Sequence, residues 1–171
     1  MKKTIKTIAF LSLTALIIAC KGDAKKTENT STAPAATETS EPSEPESTAF
    51  AVTIESNDQM QFNMKELKVP VGEPVVLTLK HVGKMAKNVM GHNFVLLDQG
   101  VDFNEFATKA SVAKDTDYIP EDASGIIVHT GLIGGGESET VEFTITEAGS
   151  YEFLCTFPGH YAMMRGVLIA E

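Results

Sequence analysis

The chain has 171 residues and a formal net charge of −9, with 14 basic and 23 acidic side chains. Residues 1–49 hold equal numbers of each, so residues 50–171 carry the whole excess. So acidic a body argues against nucleic acid as a partner, because phosphate recognition needs clustered Lys and Arg.

Lys2, Lys3 and Lys6 form a positive leader before an apolar run, Ile8 to Ile18, interrupted by Ser12 and Thr14. That run is too short for a membrane span and fits the apolar region of an export signal. Leu16-Ile17-Ile18-Ala19-Cys20 then resembles a bacterial lipoprotein signal. The resemblance implies removal of residues 1–19 and lipidation of Cys20, which would anchor the protein to a membrane. Several acyl chains would hold it firmly, at about 0.8 kcal/mol per buried methylene. Only Cys155 remains as a second cysteine, so it lacks a disulfide partner and is a candidate reactive or metal-binding group.

Residues 20–49 are dense in Thr, Ser, Pro, Ala and Glu, with no large apolar residue. Such a segment buries too little surface to fold and reads as a disordered tether. A coil of this length spans roughly 30 Å.

From residue 50 the pattern changes. Strands are expected at Phe50–Glu55, Val75–Leu79, Phe94–Leu97, Gly125–Val128, Val141–Ile145, Tyr151–Leu154 and Val167–Ile169. Val101 to Ala113 carries Val101, Phe103, Phe106, Ala107 and Ala110 near helical spacing, which predicts one short inserted helix. Many short strands with turn signals argue for an all-β sandwich or barrel. Gly131-Leu132-Ile133-Gly134-Gly135-Gly136-Glu137 lacks the Lys-Ser/Thr of a phosphate loop and reads as an interstrand loop.

The last predicted strands flank Cys155-Thr156-Phe157-Pro158-Gly159-His160-Tyr161-Ala162-Met163-Met164, and Gly91-His92 lies far upstream. These supply one thiolate, two imidazoles and one thioether. A Cys and two His with a weak axial Met is the ligand set of a blue-copper electron-transfer site. Thiolate suits Cu(I) and imidazole suits both oxidation states, so a fixed set of this kind rearranges little on reduction. Singly, each residue is ordinary: a lone buried Cys is usually a small hydrophobe, and Met is common core filler. Their combination at strand ends carries the reading.

Cys155-Thr-Phe-Pro-Gly-His160 with Met164, Lys87-Asn88-Val89-Met90-Gly91-His92-Asn93, Asn57-Asp58-Gln59-Met60-Gln61-Phe62 and His129-Thr130-Gly131-Leu132-Ile133-Gly134 together resemble azurin, in order over residues 50–171. The resemblance implies an eight-stranded Greek-key cupredoxin sandwich with a helical flap. It implies one type 1 copper, with His92, Cys155 and His160 as strong ligands, Met164 as weak axial ligand and the Gly91 carbonyl approaching opposite. It implies that Asn93 ties the ligand loops together and that Phe157 packs beside the copper loop. It also implies an electron port, the edge of His160 surrounded by Met60, Met90, Phe157, Pro158, Ala162 and Met163. Tyr161 replaces a small residue there and is expected to narrow the rim. His81 is expected partly buried near the copper loop, and His129 at the surface. Phe50 and Gly72 stand where relatives carry a disulfide, and Phe94 where a buried Trp is common.

The expected function is one-electron transfer by a monomer held in the periplasm or cell envelope by its lipid, exchanging electrons with cytochromes or reductases. Catalysis is not expected: a copper enzyme needs a second, open site, and only His81 and His129 remain. Copper storage or delivery is the alternative, because Met60, Met64, Met85, Met90 and Met163 add soft ligands.

Overall fold

A computed structural model describes residues 49–171. The signal at 1–19, the tether and the Cys20 lipidation site lie outside the described residues.

The strands are β1 Phe50–Asn57, β2 Gln61–Phe62, β3 Glu66–Val69, β4 Pro74–His81, β5 Val95–Leu97, β6 Ile126–His129, β7 Ser138–Thr144, β8 Gly149–Leu154 and β9 Arg165–Ala170. They form two sheets, ordered β2-β1-β4-β7 and β3-β9-β8-β5-β6. Two pairings are parallel, β1 with β4 and β3 with β9; the others are antiparallel. The architecture is the expected all-β cupredoxin sandwich, with the two-residue β2 as an extra ribbon beside β1. Two short helices interrupt it: α1 Lys87–Met90, a single turn, and α2 Phe103–Ser111.

Side-chain alternation along the strands decides what reaches the interior. On β4, Val75, Leu77, Leu79 and His81 share the buried face, so His81 is fully buried rather than partly buried as expected. On β8, Tyr151 and Phe153 point into the sandwich, and the same period carries Cys155 inward just beyond the strand. Leu154 faces the other way, with Val95 and Leu97, into a second apolar cluster. Helix α2 covers that cluster with Phe103, Phe106, Ala107 and Ala110. Asp102 caps α2 by accepting a hydrogen bond from the Glu105 amide. The strands bearing Cys155 and leading from His92 are therefore packed on both faces, which holds the ligand-bearing ends rigidly. Phe94 is fully buried against Phe153, ring centroids 5.1 Å apart, and fills the core.

Candidate metal centre

Cys155 opens the hairpin loop between β8 and β9. Leu154 pairs with Arg165 at its base, and the Cys155 amide donates to the Met164 carbonyl at 2.9 Å. Inside the loop, the His160 amide donates to the Phe157 carbonyl, and the Met163 and Met164 amides donate to the His160 carbonyl. Gly159 sits at φ +83°, a left-handed turn position that other residues adopt at a cost. These bonds fold ten residues into a small knot with Cys155, His160 and Met164 on it.

His92 comes from the other side. It lies between α1 and β5 and exchanges two main-chain hydrogen bonds with Ile133. Gly91, which is buried, admits no side chain: a Cβ there would run into the Lys87 carbonyl oxygen and lie 2.8 Å from Leu132. The close turn from α1 into His92 depends on that glycine.

The donors converge. Cys155 Sγ lies 3.7 Å from His160 Nδ1 and 3.9 Å from His92 Nδ1, and all three atoms lie within 4.8 Å of one another. Two donors sharing one ion at about 2.0–2.3 Å, with about 120° between them, are separated by about that distance. The Met164 side chain is fully buried in the same apolar cluster as Cys155. A thiol, two imidazoles and a thioether in a dry pocket fit a single type 1 copper site, by the chemistry of the donor set.

The surroundings orient the donors. The Asn57 carbonyl accepts a hydrogen bond from His92 Nε2 at 2.9 Å. A carbonyl only accepts, so the proton sits on Nε2 and the Nδ1 lone pair is free to face the thiol. His81 stacks on His92 with ring centroids 4.5 Å apart. Its own Nδ1 accepts from the Gly83 amide, so its Nε2 donates to the Met90 carbonyl. Asn93 joins the two loops: its Nδ2 donates to Thr156 Oγ1 at 2.7 Å, and its Oδ1 accepts from the Thr156 amide at 2.8 Å. The backbone amides of Asn93 and Phe157 point at the Cys155 sulfur. The Phe157 ring lies 4.7 Å from that of His160, and Tyr118 lies edge-on to Phe157.

Burial controls the protonation states. It pushes the Cys155 thiol up to about 12, although the two amides oppose the shift. It holds His92 down at about 4, partly opposed by the Asn57 carbonyl, and His160 at about 4. The imidazoles are therefore neutral, with a lone pair ready for a metal, across ordinary pH. A linked consequence concerns the metal-free protein. Between about 4 and 6.5 the unfolded chain binds protons at His92 and His160 that the folded chain refuses, so stability should fall as pH falls through that window. Above 9.0 the sign reverses, because the unfolded chain releases the Cys155 proton that the folded chain keeps. Urea unfolding of the metal-free protein across both windows checks this; a flat profile below 6.5 would contradict it.

His160 is 4% exposed, the only member of the donor trio with any accessible surface. Its Nε2 has no hydrogen-bond partner among the described residues, yet no buried side-chain nitrogen or oxygen lacks one, so this edge reaches solvent. Around the two ligand loops, Pro158, Ala162 and Met163 are exposed, and Met60, Met90 and Phe157 are half-buried. Met85 and Val89, which the port reading did not include, are also exposed, at 39% and 54%. Tyr161 joins the α2 cluster, its ring 6.3 Å from Phe103. His129 is exposed, as expected.

Sequence reasoning did not find the Asn57 carbonyl, Thr156 or the stacking of His81. A main-chain acceptor has no side-chain signature. Thr156, next to the cysteine, was the one available signal for a loop-bridging partner.

Residues 48–171 match a family described as copper binding proteins, plastocyanin/azurin family. The chain is 45% identical over 127 residues to the azurin of Achromobacter denitrificans, covering 68% of this chain and 80% of that one. It is 44% identical over 119 residues to outer membrane protein H.8 of Neisseria gonorrhoeae, covering 68% of this chain and 64% of that protein. Among solved structures, the reduced auracyanin of Roseiflexus castenholzii superposes with a TM-score of 0.65 at 33% identity, over 72% of this chain and 98% of that one.

Proposed function

The chain belongs to the plastocyanin/azurin family of copper-binding proteins, and from that premise we propose that it carries single electrons in the cell envelope. In this reading His92, Cys155 and His160 bind one copper strongly, Met164 binds it weakly, and the Gly91 carbonyl lies nearby. The observation that carries the proposal is a rigid, buried donor set with one imidazole edge at the surface. Copper held there would supply a one-electron Cu(II)/Cu(I) couple.

The protein's part is to keep the donors still and dry. The main-chain bond from Cys155 to Met164 closes one loop, and Asn93 clamps it to the other. The Asn57 carbonyl fixes the His92 tautomer. Donor amides at the sulfur stabilise the thiolate form, and such contacts tune a reduction potential. His160 links the buried centre to a patch of exposed apolar side chains. Redox encounters are brief and bury less than about 1,200 Å² in total, which suits such a patch.

Two alternatives are less well supported. A catalytic copper would need further ligands, but the His81 ring is committed to the Gly83 amide and the Met90 carbonyl, and His129 Nδ1 lies 3.1 Å from the Thr130 carbonyl. Storage or delivery favours a labile, exposed cluster of soft ligands, whereas Cys155 and Met164 have no exposed surface. The resemblance of residues 1–20 to a lipoprotein signal supports attachment through Cys20 to a membrane, by way of the tether. A relative named as an outer membrane protein is consistent with an envelope location. Cytochromes or reductases, soluble or membrane-bound, are the expected partners of the monomer.

Visible spectroscopy of the full chain with added Cu(II) tests the carrier reading. An intense band that ascorbate bleaches, with copper retained through desalting and colour restored on reoxidation, is expected. Loss of copper on reduction would instead favour delivery.

A further inference from the structure

One side of the port carries exposed lysines, although the molecule as a whole is acidic. Among the described residues there are eight cations against 17 carboxylates. Three of those cations are engaged: Lys68 pairs with Glu171, Lys109 with Asp122, and the Arg165 guanidinium lies 4.3 Å above the Phe103 ring. Lys80 stands in register beside Glu55 on neighbouring strands, and Lys114 precedes Asp115.

Lys65, Lys84 and Lys87 are, like Lys80 and Lys114, in no ion pair among the described residues, and differ from them in position. All three are exposed, and none of their ammonium groups lies within 4.0 Å of a carboxylate among the described residues, although Asp58 accepts hydrogen bonds from the Lys84 and Met85 backbone amides at 2.9 and 3.2 Å. Each sits on a segment that frames the port. Lys65 lines a groove with Ala162 and Met163, on the Cys155–Met164 loop side. Lys84 and Lys87 flank the exposed Met85 and precede Val89 and Met90, on the approach to His92. The Lys84 and Lys87 backbones pack on Gly135 and Gly134, which fixes where this segment lies. Across the port, the segment touching Asn93 and Phe157 carries exposed Asp115, Asp117 and Glu121.

We propose that Lys65, Lys84 and Lys87 form a positive arc beside the apolar port, which selects and orients a redox partner whose docking face is apolar at its centre and carboxylate-rich on one side. The inference rests on the carrier reading. Burial at an apolar centre supplies contact without discrimination, whereas complementary charge raises encounter rates and excludes like-charged faces. The carboxylates on the opposite rim make the field directional, so a partner with carboxylates on one side docks in one orientation.

Inorganic redox reagents read the local field without a known partner. One electron passes from Cu(I) of the reduced, copper-loaded full chain to hexacyanoferrate(III), giving Cu(II) and hexacyanoferrate(II). The net charge of −9 predicts repulsion of this anion and a rate that rises with salt. The arc predicts the reverse: a rate that falls with salt. Charge reversal in K65E/K84E/K87E should slow the reaction by roughly tenfold and invert the salt slope. Tris(phenanthroline)cobalt(III), a cation, should respond oppositely, and K68E, at a cation already paired with Glu171, should change neither rate. A wild-type rate with hexacyanoferrate(III) that rises with salt, or a triple variant with an unchanged rate, overturns the arc. Capture of the full chain carrying C20S by phosphatidylglycerol vesicles, lost in the triple variant, overturns it in favour of a lipid surface. A protein that neither reagent oxidises overturns the carrier reading itself, whatever the salt dependence.

Discussion

Replacing Cys155 with Ser should abolish the intense visible absorption of the copper-loaded protein and weaken copper binding by well over 100-fold. That absorption requires a thiolate on the metal, and a hydroxyl at ordinary pH supplies neither the charge nor the softness. Loss of an outer-shell partner costs roughly 10–100-fold in metal affinity, and removing the strongest donor exceeds that. The substitution is nearly isosteric, and the amides of Asn93 and Phe157 that point at the sulfur can donate to a hydroxyl oxygen. The fold should therefore survive, with an unchanged far-ultraviolet circular dichroism spectrum. A folded Cys155→Ser protein that still turned blue with Cu(II) would remove Cys155 from the site.

Asn93→Ala should destabilise the metal-free protein by about 2–5 kcal/mol, through the two Thr156 groups it leaves unpaired. Asn93 and Thr156 are essentially fully buried, so both Thr156 groups lose their partner away from bulk solvent. Each buried orphan of this kind costs about 1–3 kcal/mol. The same change uncouples the His92 segment from the Cys155 loop, so copper affinity should fall roughly 10–100-fold. Urea unfolding and competition with a copper chelator read the two effects separately. A loss of stability with affinity intact would make Asn93 a packing residue alone; intact stability would contradict the hydrogen-bond account.

The role of Asn93 came only from the resemblance of its segment, whereas Cys155 was legible from its spacing, and the reason is local. Cys155, His160 and Met164 lie within ten residues, so one hairpin loop must carry them all, and the period of Tyr151 and Phe153 aims the cysteine inward. Strand β7 was legible because Val141, Phe143 and Ile145 alternate cleanly. Strand β3 was not: Glu66–Val69 offers only Leu67 and Val69 as apolar signals, and its pairing partner β9 lies almost a hundred residues away. The single turn of α1 is likewise invisible, because four residues contain no helical period. His81 was expected to be partly buried; its full burial follows from the register of β4, which extends two residues past the predicted strand. The tautomer of His92 depends on the Asn57 carbonyl, set by how β1 ends, and no side chain records that.

The complete burial of Cys155 also bears on what happens before metal arrives. A secreted or envelope protein meets oxidants and disulfide-exchange catalysts that attack through thiolates. Here the sulfur has no accessible surface and its proton is held to about 12, so the folded chain presents neither a thiolate nor a path of attack. Folding thus acts as a chemical shelter, preserving a reduced sulfur in an oxidising compartment until a metal reaches it past the one open edge, His160. Vulnerability is confined to the unfolded chain, where the thiol has its ordinary acidity.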